Sequence, residues 1–201
     1  MERSAIDMSR EMARLWPLLG RHIAFHRRLV DLTRNVKAAL LLSQSIYWTR
    51  HGRDVAERGG WFHKTADQWE RETGLSAKEQ AHARECLRRL ALLDEQRAGL
   101  PARLHFRLDL ERLAAQLSEV LGKCPDAWDW RDHAELLRRL GPSHAYHRVL
   151  AGVTGGVLPA LLLSRGLTLS RARLLRASNL WFTRVGVQWS DELGLSRREQ
   201  E

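Results

Sequence analysis

Cysteine is scarce in this chain, and long apolar runs are absent. The 201 residues include two cysteines, Cys86 and Cys124. Two are too few for a disulfide scaffold, which favours a reducing compartment. The longest apolar run, residues 38–42, is far too short to span a bilayer, and the chain shows no signal peptide. We therefore expect a cytoplasmic protein, associated with the nucleoid if it binds DNA, that makes no membrane contact.

The patterns of common catalytic and metal sites are also missing. There is no Cys-x-x-Cys pair, and the partial sets Cys124 with His133 and His144 with His147 do not complete a metal site. Neither a Walker-type glycine loop nor a nucleophile elbow occurs. The acids of residues 67–72 fall on a predicted exposed helix face. We expect no cofactor, no metal and no enzymatic activity.

Lysine is rare, yet the chain is basic. Lys and Arg total 33 against 24 Asp and Glu, a net charge of +9, and only four of the cations are lysine. The guanidinium fork matches phosphate oxygens, so an arginine-rich surface suits nucleic acid. A high-GC genome that uses Arg in place of Lys would account for many arginines, but not for the excess of positive charge. The hydrophobic content of 44% supports a packed core in one or two domains.

Residues 61–108 predict two short helices joined by a tight turn. Gly74 ends the first helix, since glycine adopts the left-handed conformation cheaply. Ser76 caps the second helix, and Glu79 stands at the capping-box position. The second helix, over residues 77–92, would be the recognition helix of a helix-turn-helix.

The faces of this helix separate by residue type. Ala83, Cys86, Leu87 and Leu90 recur at helical spacing and predict the core face. The other face starts with small and polar side chains that suit base edges, and continues with arginines that suit phosphates. Its DNA-contact candidates are Ala77, Lys78, Ala81, His82, Arg84 and Arg88.

A hairpin follows, over residues 93–97 and 102–108. Leu104, Phe106 and Leu108 alternate with Arg103, His105 and Arg107, which predicts a strand with one buried and one basic face. Arg97 and Arg103 are the contact candidates here. Together these elements predict a winged helix, in a mainly helical α+β fold with small β-hairpin wings. The alternative is a small helical domain with an incidental hairpin.

The flanking segments complete this first domain. An apolar stripe predicts a helix from about Asn35, and Trp61 to His63 predict a short strand. Asp109 is placed to cap a further helix that ends at Gly122. Residues 12–19 predict a helix that packs on the domain.

The sequence then repeats itself. Residues 25–43 align with 146–164, and residues 61–80 align with 181–200, at offsets of 121 and 120. We interpret this as tandem winged helices. The expected domains are 1–121, with the N-terminal helix and the first module, a linker at 122–132, and an incomplete second module at 133–201.

In the second copy, residues 166–179 replace the charged loop, while Gly155, Gly156 and Pro159 weaken the leading helix. Its DNA-contact candidates are Arg184, Arg197 and Arg198. The chain stops within the second recognition helix, so we expect either a fragment of a longer protein or a partner chain that supplies the missing cover. In the linker, Trp128 and Trp130 either dock on a domain surface or form a partner-binding motif.

The order ALLLSQSIYW, GGWFHKTADQWERETGLSAKEQ and LRRLALLDEQRAGLPARLHFRLDLERL resembles phage and mobile-element replication proteins of the replisome-organiser type. The resemblance covers residues 36–117 and, in part, 146–201. It implies binding to repeated origin sites and recruitment of replication proteins. The DNA contacts that it implies are Lys64, Thr65, Lys78, His82, Arg84, Arg88, Arg97 and Arg103.

The leading hypothesis is thus a sequence-specific protein that binds double-stranded DNA and initiates or organises replication of a mobile element. A transcriptional regulator would use the same modules, and an adaptor would use winged helices to dock proteins. The sequence leaves a homodimer open, since no heptad pattern demands one.

Overall fold

The structure is a computed structural model, and it describes residues 5–122, 132–177 and 180–200. It is mostly helical with two small antiparallel sheets, which confirms the expected α+β class. The first repeat holds α1 (Ala5–Leu18), β1 (Ile23–His26), α2 (Arg27–Thr33), α3 (Val36–His51), β2 (Phe62–His63), α4 (Ala66–Thr73), α5 (Ala77–Arg89), β3 (Leu93–Ala98), β4 (Arg103–Leu108) and α6 (Leu110–Val120). The second holds α7 (His133–Leu140), β5 (Ser143–Tyr146), α8 (Val149–Thr154), α9 (Val157–Ala177), α10 (Gly186–Leu193) and α11 (Arg197–Gln200).

The predicted helix pair is present as α4 and α5. Gly74 takes a φ of 76° and ends α4, as its lack of a Cβ allows. Thr65 caps α4 and Ser76 caps α5, each in a reciprocal capping box. Asp109 caps α6 by accepting a hydrogen bond from the Arg112 amide. The predictions for Gly74, Ser76 and Asp109 are confirmed, because they depend only on residues a few positions apart. The cap at Thr65 was not predicted.

The predicted hairpin is also present. β3 and β4 pair antiparallel from Leu93 opposite Leu108, and β2 joins them with Phe62 opposite Phe106, so the sheet order is β2–β4–β3. Along β4, Phe106 and Leu108 are buried while Arg103 and Arg107 are exposed. The alternation confirms the period of two.

Helix α3 is buried more fully than a surface helix with one apolar stripe. Its predicted stripe is buried as far as Ile46, while Tyr47 is 40% exposed. Ala38, Leu41 and Leu42, which lie off that stripe, are buried as well. The additional burial arises because α3 packs against β1 and α9 in addition to α2 and α5.

The two repeats are joined by an antiparallel strand pair with internal symmetry. β1 pairs with β5 so that Ala24 lies opposite Ala145. These two alanines are equivalent in the repeat, because Phe25 aligns with Tyr146 at the same offset of 121. When a strand pairs antiparallel with its counterpart in the other repeat, and one residue lies opposite its own equivalent, a local two-fold axis relates the two strands. That axis passes through the Ala24–Ala145 pair.

The turns between the paired helices pack reciprocally across this axis. A Cβ on Gly74 would lie 2.9 Å from the Ala151 Cβ, and a Cβ on Gly194 would lie 2.6 Å from the Val30 Cγ1. Val30 and Ala151 are equivalent positions of the two repeats, as are Gly74 and Gly194. Each repeat therefore seats its turn on the other repeat, and one hydrophobic core runs from Leu19 to Leu195.

Residues 166–177 stand where the first copy has its charged loop, as the alignment predicts. They are helical and continue α9, because Leu, Arg and Ala in this stretch are good helix formers. One expectation for the second copy is wrong. Gly155 and Pro159 do not weaken the leading helix. Gly155 ends α8 with a φ of 78°, and Pro159 lies in the first turn of α9, where its missing N–H has no helical partner to lose.

The predicted linker falls largely outside the described residues, and so do Trp128 and Trp130. At its end, Asp132 caps α7 by accepting a hydrogen bond of 2.8 Å from the Ala134 amide. Within the described ranges, no helix is both long and apolar enough to cross a membrane.

We expect Tyr146→Phe to lower the free energy of unfolding by about 1–2 kcal/mol. The buried Tyr146 hydroxyl donates a 2.6 Å hydrogen bond across the axis to the Thr73 carbonyl oxygen, and the variant leaves that oxygen without this donor. Urea unfolding followed by circular dichroism measures the change. The half-exposed Tyr47 is the matched control, and Tyr47→Phe should shift stability by less than about 0.5 kcal/mol. Equal effects of the two variants would contradict the role of this bond.

Candidate functional site

The first turns of α5 present small and polar side chains to solvent. Ala77, Lys78, Ala81 and His82 are exposed, and on the opposite face Ala83 and Leu87 are fully buried. Cys86 and Leu90 are half-buried beside them. The two faces predicted from the spacing are thus confirmed, and the described start of α5 is open to a ligand.

The beginning of α5 is held in place by charge as well as by its cap. Glu79 bonds the Ser76 amide at 2.8 Å and forms a 2.6 Å ion pair with Lys37 on α3. Burial opposes ionisation of Glu79, but the Lys37 ammonium and the Ser76 donors outweigh it and keep the pKa of Glu79 below its usual value. α5 is therefore tied to α3 at its N-terminal end.

A buried glutamine fixes the angle between α4 and α5. Gln80 is 3% exposed, and its side-chain amide donates to the Ala66 carbonyl at 3.0 Å and to the Leu75 carbonyl at 2.7 Å. In the second copy, Gln200 donates in the same way to Gly186 and Leu195. Sequence reasoning missed this role, although the Glu-Gln pair that recurs in both repeats was the available signal.

Lys64 is placed differently from its predicted role in DNA contact. It is 8% exposed, it pairs with Glu72, and its Nζ lies 3.4 Å from the centre of the Trp48 ring. Glu72 also accepts hydrogen bonds from Gln44 and from the Trp48 indole. The Lys64 ammonium points into the protein because α4 places the Glu72 carboxylate beneath it. The neighbouring Thr65 is exposed, and its hydroxyl oxygen caps α4.

The second copy repeats this polar cluster. Arg184 aligns with Lys64 and forms a 2.8 Å ion pair with Glu192, the counterpart of Glu72. Arg165 pairs with the same carboxylate at 2.7 Å. Burial opposes ionisation of Glu192, but the two guanidinium groups outweigh it and keep the pKa of Glu192 low. Arg184 is thus half-buried in a structural ion pair, contrary to the expected surface contact.

Of the two arginines predicted along α5, one is partly committed to the fold. Arg84 lies 3.4 Å from Glu95 on β3, with its guanidinium 5.9 Å from the centre of the Phe106 ring, so it connects α5 to the hairpin. Arg88 is exposed and pairs with Glu85 at 3.3 Å, in a surface contact that a ligand displaces at little cost.

The hairpin adds exposed cations next to α5. Arg97 on β3 and Arg103 on β4 are both exposed. Burial, followed by the positive charge of Arg103 and then of His105, lowers the pKa of His63 on the adjoining strand. At neutral pH the positive charge of this face therefore comes from arginine, not from His63.

The second copy presents a short equivalent of α5. Arg197 and Arg198 are exposed at the start of α11, and Ser196 and Glu199 repeat the capping contacts of Ser76 and Glu79. The predicted contact residues of α11 are therefore at the surface.

No group of three or more His, Cys, Asp or Glu side chains in the described part of the chain is placed to hold a metal ion. Comparisons with known protein families, with curated proteins and with solved structures found no match. The interpretation of the site consequently depends on its own geometry and charge.

We expect Glu72→Gln to lower the free energy of unfolding by about 3 kcal/mol, since it leaves the buried Lys64 without a counter-charge. Adding Lys64→Met should recover much of that loss, because the uncompensated charge is then removed. Thermal and urea unfolding measure both effects. Glu85→Gln, which removes an exposed carboxylate of α5, is the control and should change little. A Glu72→Gln variant as stable as that control would show that the pair is not structural.

Proposed function

We propose that this chain is a double-stranded DNA-binding protein in which the α3–α6 unit is a winged helix and α5 is its recognition helix. The observation that supports the proposal is the exposed start of α5 beside a hairpin with outward-facing arginines. A helix needs small side chains where it meets the floor of a major groove and polar side chains where it meets base edges. Ala77 and Ala81 supply the first, and Lys78 and His82 supply the second.

The contact set proposed here is narrower than the sequence suggests. Arg88, Arg97 and Arg103 are exposed and are assigned to phosphates, which fix the register of a protein on the duplex. Lys64 and Arg184 are assigned to structure, because each pairs with a carboxylate of the helix that follows it.

For the biological role we propose replication of a mobile element, on the resemblance of residues 36–117 to replisome-organiser proteins. Such a role would place the protein on the nucleoid. Docking on DNA would serve a transcriptional regulator equally well. The local two-fold axis favours that second candidate, since symmetric readers match inverted half-sites, which are common in operators.

We expect the protein to bind the DNA that flanks its own gene about 10³-fold more tightly than a scrambled duplex. Lys78→Ala combined with His82→Ala should remove most of this gap, because both side chains reach base edges in the proposed pose. Fluorescence anisotropy across a salt series measures it. Arg10→Ala with Arg14→Ala, which removes two exposed cations from α1, is the control for loss of positive charge and should keep the gap.

Steep salt dependence with equal affinity for both duplexes would mean phosphate contact alone. Absence of binding to either duplex at moderate salt would reject the proposal and favour the protein-docking adaptor.

We further expect an inverted repeat of the preferred site to bind one chain more tightly than a direct repeat of the same spacing. The reason is the two-fold relation of the repeats, which places α5 and α11 in opposite senses. Titration of both duplexes, with stoichiometry from analytical ultracentrifugation, measures the difference. The Arg197→Ala, Arg198→Ala variant should abolish the preference but keep binding to a single site. A tighter complex with the direct repeat would contradict this arrangement.

A further inference from the structure

A broad groove lies between the C-terminal half of α3, α7 and the start of α8. Its volume is about 960 Å³, and we refer to it as the α3 groove. Leu18, Tyr47, Leu137 and Val149 line it, and all four are large hydrophobic side chains that remain exposed. Exposed apolar side chains that cluster in one groove are typical of a contact site.

The local two-fold axis relates the α3 groove to an equivalent surface along α9 on the other repeat. That surface is covered by α1. There Trp16 of α1 lies edge-on to His147, with 6.0 Å between ring centres. The Arg171 guanidinium stands 4.2 Å from the centre of the Trp16 ring, and His22 lies 5.6 Å from His147. An aromatic side chain on an amphipathic helix thus occupies the α9 side.

The residues that form this aromatic seat have counterparts 121 positions away, and every counterpart lines the α3 groove. Trp16 corresponds to Leu137, His22 to Ser143, His147 to His26 and Arg171 to Arg50. The groove is therefore the same seat with the indole replaced by a shorter leucine. The change leaves room where the first repeat inserts a tryptophan.

The charge around the groove selects the kind of partner. Arg50, Arg71 and Arg148 line it, and the Arg148 Nε is buried without a hydrogen-bond partner. The nearby Glu72 carboxylate is already engaged by Lys64, Gln44 and Trp48. The balance of charge at the rim is positive, so carboxylates on a partner would be favoured.

We propose that the α3 groove docks an amphipathic helix of a partner protein that presents one aromatic side chain flanked by carboxylates. The aromatic ring would lie beside Leu137 and against His26 and Arg50, in the room that a tryptophan at position 137 would fill. The carboxylates would meet Arg71 and Arg148. This site is separate from the start of α5, and the proposal holds whether or not the chain binds DNA.

The probe is a fluorescein-labelled peptide with the sequence of residues 5–18 in which Arg10→Glu and Arg14→Glu make the Trp16 helix acidic. We expect saturable binding to the full chain by anisotropy, weakened at least tenfold when the peptide carries Trp16→Ala. The peptide with the original arginines should also bind at least tenfold more weakly, because the rim is basic.

Two variants of the full chain locate the peptide. Leu137→Trp fills the seat from within and should abolish binding, whereas Leu175→Trp, at an exposed leucine of α9 outside the groove, should leave it unchanged. Arg148→Glu reverses a charge that lines the groove and should weaken binding at least tenfold. Circular dichroism and thermal unfolding confirm that each variant is folded, and Arg148→Glu serves as the test if Leu137→Trp is not.

Binding that survives both Leu137→Trp and Arg148→Glu would mean that the peptide displaces α1 from the α9 side, and it would overturn the proposal. The proposal also fails if the acidic aromatic peptide does not bind the full chain. Weaker duplex binding by Arg148→Glu would in that case assign the groove to nucleic acid.

Discussion

The pairing of β1 with β5 is the constraint on which the rest of the structure depends. Each strand has only four residues, too few to be stable alone, so the pair holds because the elements behind it interlock. Val30 of α2 receives the turn at Gly194, and Ala151 of α8 receives the turn at Gly74. Neither repeat completes its core without the other, which is why a chain with two copies of one motif has a continuous interior.

Ion pairs within each repeat determine which charged side chains are available at the surface. Lys64 and Arg184 occupy equivalent positions, and each is drawn inward by a carboxylate on the adjacent helix, Glu72 or Glu192. The buried pair and its hydrogen bonds orient α4 and α10 at the cost of a surface cation. By contrast, the side chains at the start of α5 stay exposed. The capping box bonds the backbone amides there, and the buried Gln80 side chain donates to the Leu75 carbonyl on the inner side of the helix.

Divergence between the repeats is as informative as their similarity. Several core positions are matched, such as Phe25 with Tyr146 and Leu40 with Leu161. However, a tryptophan on α1 corresponds to a leucine on α7, and the α3 side stays open where the α9 side is closed. Likewise, residues 166–177, which stand where the first copy has the loop after α3, are helical and belong to the 21-residue α9. Two equivalent surfaces of the fold therefore differ: α1 covers the one along α9, and the one along α3 is open.

The sequence by itself determined the local elements and the repeat. Caps at Thr65, Ser76 and Asp109, the turn glycine and the alternation along β4 act over a few residues, so their patterns are legible without a structure. Only the tertiary structure decided that Lys64 points inward and that the repeats interlock by strand pairing. Lys64 is buried by side chains on α3 and α4, and the strand pair joins residues of different repeats. The burial of a side chain depends on what packs against it, which no local pattern predicts.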